Sequence, residues 1–221
     1  GLVPAQGALV GELGILDVSG TNPVTGNPWA FGDQYRLAFV TSTTVRDATS
    51  SNIADYNTAV TGFANGAGLG GDWFVIGSTA TVSARENTST TGGGGVGIFA
   101  LDGTTKIADN YGDFWDGSHD SAILTETGVA PSTVFVAAGT FSNGSIDTVR
   151  PLGDLNAGDL NRIQAGQTNQ TSFRWIRVWN TNAFDDQYFY AMSATLTVIP
   201  EPSSTALLGL GGLALMLRRS R

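Results

Sequence analysis

Cysteine is absent from this 221-residue sequence, and His119 is its only histidine. The absence of cysteine excludes disulfide bonds, thiolate metal sites and cysteine nucleophiles. One histidine without cysteine also argues against a zinc hydrolase. A Ser-His-Asp triad would need His119 with Asp116 or Asp120, but the sequence has no Gly-x-Ser-x-Gly elbow, and a lone loop histidine is more often a surface residue. We therefore expect a protein that is not an enzyme.

Basic residues are also few. The 11 Lys and Arg stand against 19 Asp and Glu, which gives a formal net charge of −8. Without the three C-terminal arginines and Glu201, 8 basic and 18 acidic residues remain, so the rest of the chain carries −10. Nucleic acid needs Lys and Arg to neutralise its phosphates, so we expect no nucleic-acid partner. The acidic surface suits solubility outside the cell and is compatible with calcium binding.

The most specific pattern is at the C-terminus, where a polar motif, an apolar segment and a basic end follow one another. The motif is Pro200, Glu201 and Pro202, and residues 203–217 contain no charge. Fifteen residues as a helix span roughly 22 Å, somewhat less than the ~30 Å hydrocarbon core of a bilayer. We therefore predict a short C-terminal hydrophobic helix. The basic end consists of Arg218, Arg219 and Arg221, and it predicts a cytoplasmic tail with the domain on the other side of the membrane.

This three-part arrangement closely resembles the PEP-CTERM sorting signal of Gram-negative bacteria, over residues 199–221. The resemblance implies export, recognition of Pro200, Glu201 and Pro202 by an exosortase, and transient anchoring in the inner membrane. An exosortase is a membrane-embedded cysteine transpeptidase. The resemblance further implies a place in the cell envelope, at the cell surface or in the extracellular matrix, with association to exopolysaccharide or biofilm. Since the sequence begins at Gly1, we also expect that an export signal has been removed or lies outside it.

Ahead of the tail, the hydrophobic pattern predicts a single loop-rich α+β domain. Residues 1–34 are predicted to form an N-terminal segment of strands and turns, and residues 35–198 the domain itself. Ile53, Tyr56, Val60 and Phe63 recur at helical spacing after Ser51 and Asn52, either of which can cap the start, and this predicts the main helix. Short and mostly antiparallel strands are predicted at 35–41, 73–78, 80–84, 96–101, 134–138, 173–179 and 188–199. Residues 142–170 lack clear periodicity and are expected to be an insertion or surface loops.

Within this domain, a second set of short motifs resembles the endostatin-like group of the C-type lectin-like superfamily. It includes Gly68-Leu69-Gly70-Gly71-Asp72-Trp73 and Phe114-Trp115-Asp116-Gly117. The resemblance implies a lectin-like fold for residues 35–198. The cysteines usual in that superfamily are missing, and Trp179-Asn180 is followed by Thr181 rather than an acid, so calcium-dependent sugar binding is not implied by these positions.

The candidate ligand or calcium loop spans residues 109–120. Its members are Asp109, Asp113, Trp115, Asp116 and Asp120. Calcium prefers oxygen ligands from such loops, and aromatic rings beside carboxylates suit sugar binding. The alternative is a solvated loop whose aspartates cap turns and whose aromatic residues anchor it to the core. These residues predict adhesion or exopolysaccharide binding, with a secreted polysaccharide-acting hydrolase or a purely structural matrix protein as alternatives.

Overall fold

Strand β2 (Gln34–Val40) is the first long apolar segment of the chain, and it is buried on both faces. Successive side chains of a strand point to opposite faces, so β2 supplies two separate cores. The first core receives Tyr35, Leu37 and Phe39, and the second receives Ala38 and Val40. The computed structural model describes residues 8–155 and 160–201 of the protein.

The described ranges contain three helices and ten strands, and their bounds are as follows. The helices are α1 (Ile53–Gly66), α2 (Ala84–Asn87) and α3 (Tyr111–Phe114), with a 3₁₀ turn at Phe173–Trp175. Besides β2, the strands are β1 (Leu9–Gly11), β3 (Trp73–Val75), β4 (Gly97–Phe99), β5 (Lys106–Ala108), β6 (Phe135–Ala137), β7 (Arg162–Gln167), β8 (Trp179–Asn182), β9 (Tyr190–Ser193) and β10 (Leu196–Pro200).

The strands form a seven-stranded and a three-stranded sheet. The larger sheet has the order β1-β10-β2-β4-β5, and β9 joins it by pairing with both β2 and β3. The smaller sheet has the order β6-β7-β8. Every strand pair is antiparallel except β2 with β4, which is parallel. The predicted α+β class with mostly antiparallel strands and one main helix is therefore confirmed.

Helix α1 forms where the sequence pattern predicts it. The Asn52 side chain accepts a hydrogen bond from the backbone N–H of Ala54, and Tyr56, Val60 and Ala64 are buried against the first core. Thr61 on the same helix donates to the Trp73 carbonyl at 2.9 Å, which fastens α1 to β3. Local signals alone account for this element, since its cap, its apolar period and its terminal glycine all lie within the segment.

Four local predictions are wrong. Residues 173–179 do not form one strand, because Trp175 and Ile176 turn into the second core and β8 begins only at Trp179. Residues 188–199 form two strands, since β9 pairs with one end of β2 and β10 with the other. Residues 80–84 lead into α2, which starts at a capping box formed by Ser83 and Glu86. The supposed insertion 142–170 contains β7, the middle strand of the smaller sheet.

None of the helices in the described ranges is long and apolar enough to span a membrane. The hydrophobic helix predicted within residues 203–217 lies outside the described residues. The N-terminal segment predicted for residues 1–34 contributes β1, and Leu16, Val18 and Trp29 pack into the first core.

Gly166 in β7 lies directly against the backbone of the turn at Trp175. A Cβ atom at this position would overlap the backbone carbonyl of Trp175. We predict that Gly166→Ala lowers the free energy of unfolding by more than about 2 kcal/mol, because backbone atoms rather than a flexible side chain would have to move. Urea unfolding followed by tryptophan fluorescence measures this change.

Gly62→Ala is the matched control, because Gly62 lies inside α1 with open space around its Cβ position. Alanine is favoured over glycine inside a helix, so this variant should gain about 0.5–1 kcal/mol. Equal effects of the two substitutions would contradict the packing described for β7.

Candidate functional site

The polar motif that begins at Pro200 is joined directly to the larger sheet. Pro200 is the last residue of β10, and its Cα lies opposite that of Leu9 in β1. The next residue, Glu201, donates its backbone N–H to the Ala8 carbonyl at 2.7 Å. The first two residues of the motif are therefore part of a β-ribbon with residues 8 and 9.

The ladder accommodates Pro200 because its missing N–H is not needed there. Thr197 and Glu201 make their backbone bonds toward β1, whereas Val198 bonds to Gly32 and Asp33 on the opposite side. Alternation along an antiparallel strand then directs the Pro200 nitrogen away from β1. β10 can therefore include the proline without losing a hydrogen bond to its partner.

The candidate ligand or calcium loop, residues 109–120, is called the acidic loop below, and it folds around helix α3. The Asn110 side chain accepts from the Asp113 N–H at 3.0 Å, and Asp113 accepts from the Asp109 N–H at 2.7 Å. Oxygen atoms of Asp109, Asp113 and Asp120 lie within 4.8 Å of one another. The cap of α3 thus holds Asp109 and Asp113 together, and Asp120 joins them, so three of the five residues predicted as a ligand or calcium loop are clustered.

Lys106 enters this carboxylate cluster from β5, and the sequence analysis did not identify it. Its ammonium group forms ion pairs with Asp109 and, at 2.8 Å, with Asp120. Partial burial lowers the pKa of Lys106, but the hydrogen bonds to Asp109 and Asp120 outweigh burial and raise it overall. The lysine therefore remains charged, and a calcium ion bound by the same oxygens would have to displace its ammonium group.

The other two predicted residues lie elsewhere. Asp116 is exposed and accepts from the N–H and hydroxyl of Ser118, both at 2.8 Å, so it caps a turn. Trp115 is only 3% exposed, and its Nε1–H donates to the Thr90 hydroxyl at 2.8 Å. The loop therefore presents carboxylates to solvent, while its tryptophan packs in the core.

His119 is buried, contrary to the expectation of a surface histidine. Its ring stacks on Phe114 with a centroid distance of 4.6 Å and contacts Trp175 at 4.2 Å. Its Nδ1 has no hydrogen-bond partner among the described residues. Burial in this aromatic cluster lowers the pKa of His119 to about 4, although Asp116 and Asp120 oppose the shift. The side chain therefore packs as part of the core, with 7% of its surface exposed.

A protein-family model, described as the PEP-CTERM protein-sorting motif, matches residues 198–221. The end of this chain is a PEP-CTERM sorting motif. It marks an exported protein that is presented to an exosortase and anchored transiently at the membrane. No curated protein matches the chain. Of the sorting residues, Pro200 and Glu201 lie in the described part, whereas Pro202, Arg218, Arg219 and Arg221 lie outside it.

The sorting motif and the folded domain overlap in sequence. The match begins at Val198, which is fully buried in the first core, and includes the end of β10. Residues 198–201 therefore belong both to the signal and to the sheet, and no linker separates the two.

We predict that His119 makes the stability of the protein depend on pH. Its pKa in the folded state, about 4, lies below the ordinary value of 6.5. Between these values the unfolded chain binds a proton that the folded protein excludes. The stabilisation is therefore complete above pH 6.5 and decreases as the pH falls toward 4, by about 3 kcal/mol.

Urea unfolding between pH 4 and pH 7 measures this dependence, with His119→Phe as the comparison. The phenylalanine variant should show a shallower decrease, because the carboxylates titrate in both proteins but only the wild type contains an imidazole. Parallel curves, or a histidine proton resonance that titrates near pH 6.5 in the folded protein, would contradict the burial of His119.

We further predict that pairing with β1 limits the access of an exosortase to Pro200 and Glu201. Val10 faces Ile199 between the ladder hydrogen bonds that Glu12 and Glu201 donate, so its N–H lies on the β10 side. Val10→Pro removes this donor and should speed processing severalfold, because release of the motif from the sheet becomes easier. A pulse-chase in the exporting cell, with mass spectrometry of the C-terminus, measures the rate.

Val10→Thr is the control, since it keeps both the N–H and the β-branched shape. Equal rates for Val10→Pro and the wild type would show that the enzyme does not require release of β10. A product that still ends at Arg221 would mean that the tail is not processed at all.

Proposed function

We propose that this protein is a non-catalytic component of the cell envelope or extracellular matrix that binds exopolysaccharide. One observation carries the proposal: the sorting motif continues directly from the last core strand, β10. The α+β domain is accordingly the cargo of sorting, and it remains attached to whatever group the exosortase leaves at the C-terminus. A lectin-like fold for residues 35–198 remains part of this proposal.

The surroundings of the glutamates support a non-catalytic role. Glu12 accepts from the Thr197 N–H at 2.9 Å, and Glu86 accepts from Ser83 in the capping box of α2. Glu126 is buried and accepts from both the N–H and the hydroxyl of Ser42. Each of these carboxylates is engaged in a structural hydrogen bond, Glu12 and Glu126 between distant segments and Glu86 within the cap of α2. Glycoside hydrolysis uses a pair of Asp or Glu carboxylates, and these contacts make a glutamate in that pair less well supported.

The acidic loop is the proposed contact with polysaccharide. Its carboxylates are held in place by Lys106 and the cap of α3, so their oxygens can accept hydrogen bonds from sugar hydroxyls with little loss of side-chain freedom. Asp116 and Asp120 are exposed, and Asp109 and Asp113 are partly so. The loop therefore offers several oriented acceptors on one short segment.

Retention of the protein on the exopolysaccharide of its own cell tests this function. We predict that Asp113→Asn weakens retention severalfold, because it removes one of the clustered charges while keeping an oxygen that can accept the Asp109 N–H. Asp72→Asn serves as the control, since Asp72 is an exposed aspartate away from this loop. Co-sedimentation of the processed protein with isolated polysaccharide measures retention.

A wild-type protein that does not co-sediment would overturn polysaccharide binding. Self-association without polysaccharide would favour the purely structural alternative, and the release of new reducing ends would favour a hydrolase. Equal retention of wild type and Asp113→Asn would exclude the acidic loop but not the function.

A further inference from the structure

The basic residues of this acidic protein are unevenly distributed. Four of the eight that precede the tail lie between positions 150 and 177: Arg150, Arg162, Arg174 and Arg177. This part of the chain contains β7 and the turn that leads from β7 to β8. With Asp154 and Asp159 as its acidic residues, the stretch has a formal charge of +2 (four Arg minus two Asp) in a protein of net charge −8.

Two of these arginines line a shallow groove of about 380 Å³ beside β8. Gln164, Phe173, Trp179 and Asn180 also line the groove, and none of its lining residues in the described ranges is acidic. The guanidinium and amide groups supply hydrogen-bond donors, and the aromatic residues supply apolar surface. This combination suits a ligand with both a carboxylate and an apolar ring face.

The guanidinium group of Arg177 packs on an aromatic ring. Its guanidinium lies 4.2 Å from the centre of the Phe141 ring, which restricts its orientation. Among the described residues, no carboxylate forms an ion pair with Arg177. An unpaired arginine in a groove without acids attracts an external carboxylate more strongly than a paired one.

The aromatic residues of the groove are unusually exposed. Phe173 is 54% exposed and Trp179 is 59% exposed. The Trp179 ring also stacks on Phe135 at 6.4 Å with an interplanar angle of 20°, which extends the apolar surface onto β6. Large apolar side chains that remain open to solvent next to hydrogen-bonding groups mark binding surfaces.

The groove adjoins the acidic loop. The backbone N–H of His119 donates to the Thr171 carbonyl at 2.6 Å. Ser118 forms a β-bridge with Ser172, which is next to Phe173. The two surfaces therefore lie side by side, one rich in carboxylate acceptors and the other in guanidinium and amide donors. A polysaccharide chain that crosses both surfaces would contact hydrogen-bond acceptors on the acidic loop and hydrogen-bond donors in the groove.

We propose that this groove binds carboxylate-bearing sugar units of an acidic polysaccharide, with Arg177 on the carboxylate and Phe173 against the sugar ring. The inference rests on the proposed function and names the part of the polysaccharide that is recognised. A sugar chain is favoured over nucleic acid because each of its units carries several hydroxyls, from which the carboxylates of the neighbouring acidic loop can accept hydrogen bonds. It is favoured over an acidic peptide because Phe173 offers a flat surface for a ring.

Binding of the processed protein to polygalacturonate, a polymer of uronic acid, tests the proposal, with neutral dextran as the comparison. Arg177→Gln should weaken binding to polygalacturonate about tenfold or more, because it removes the charge-assisted contact. Phe173→Ala should weaken it severalfold. Arg162→Gln is the matched control, since it removes the same charge from the nearby strand β7 at a residue that does not line the groove. Affinity electrophoresis measures all four proteins under one salt condition.

The proposal is supported if the wild type binds polygalacturonate and not dextran, and if Arg177→Gln and Phe173→Ala lose affinity while Arg162→Gln does not. Equal losses for Arg177→Gln and Arg162→Gln would reduce the effect to general charge and overturn it. Equal binding of polyglutamate or a single-stranded oligonucleotide would also overturn it. If the wild type binds its own matrix but Arg177→Gln binds it equally well, the groove is excluded and the proposed function stands. If the wild type binds neither its own matrix nor polygalacturonate, both fail.

Discussion

Burial of β2 on both faces is the constraint on which the rest of the structure depends. A strand with two apolar faces must be covered twice, and the chain supplies a separate cover for each side. Helix α1 and the N-terminal segment cover the first face, while α3 and the turn at Trp175 cover the second, and the smaller sheet contributes residues to both cores. The acidic loop and the groove beside β8 both belong to the second cover. Their positions therefore follow from the need to close the core over β2.

Arg36 is a charged side chain that is buried together with the apolar residues of β2. It lies within β2 and is only 4% exposed, yet its charge is not left unsolvated. Its guanidinium donates to the carbonyl oxygens of Thr88 and Ser193, and it lies 5.3 Å from the centre of the Tyr111 ring. Backbone carbonyls at the C-terminal end of α2 and in β9 thus replace water around the guanidinium. They lower the free-energy cost of burying the charge, and they tie these elements to β2.

Features encoded by neighbouring residues could be predicted from the sequence, and features encoded by distant ones could not. The cap and apolar period of α1 lie within one segment, as does the three-part sorting motif, so both were recognised. Strand β7 was missed because its buried residues include Gln164 and Gly166, whose burial depends on Trp175 and Trp179. His119 was misplaced for the same reason, since Trp175 covers it from 56 positions away.

The candidate site follows the same division. The aspartates of the acidic loop are close in sequence, and their clustering was anticipated. Lys106 neutralises part of that cluster from a neighbouring strand, and Trp115 turns inward to Thr90, so neither role could be inferred from the loop alone. A pattern of aspartates and aromatic residues predicts that a loop is structured. It does not predict which of the side chains in the loop are exposed to solvent.

The position of β10 has a consequence for the order of events during export. β10 lies between β1 and β2, so the larger sheet pairs the first strand of the described chain with the last. Such long-range pairing is slow to form and cannot start before both segments are present on the same side of the membrane. The sheet can therefore close only once residue 200 has crossed, which is also when the sorting motif comes into reach. Closure of the sheet and recognition of the signal thus become possible at the same moment, and they compete for residues 198–201.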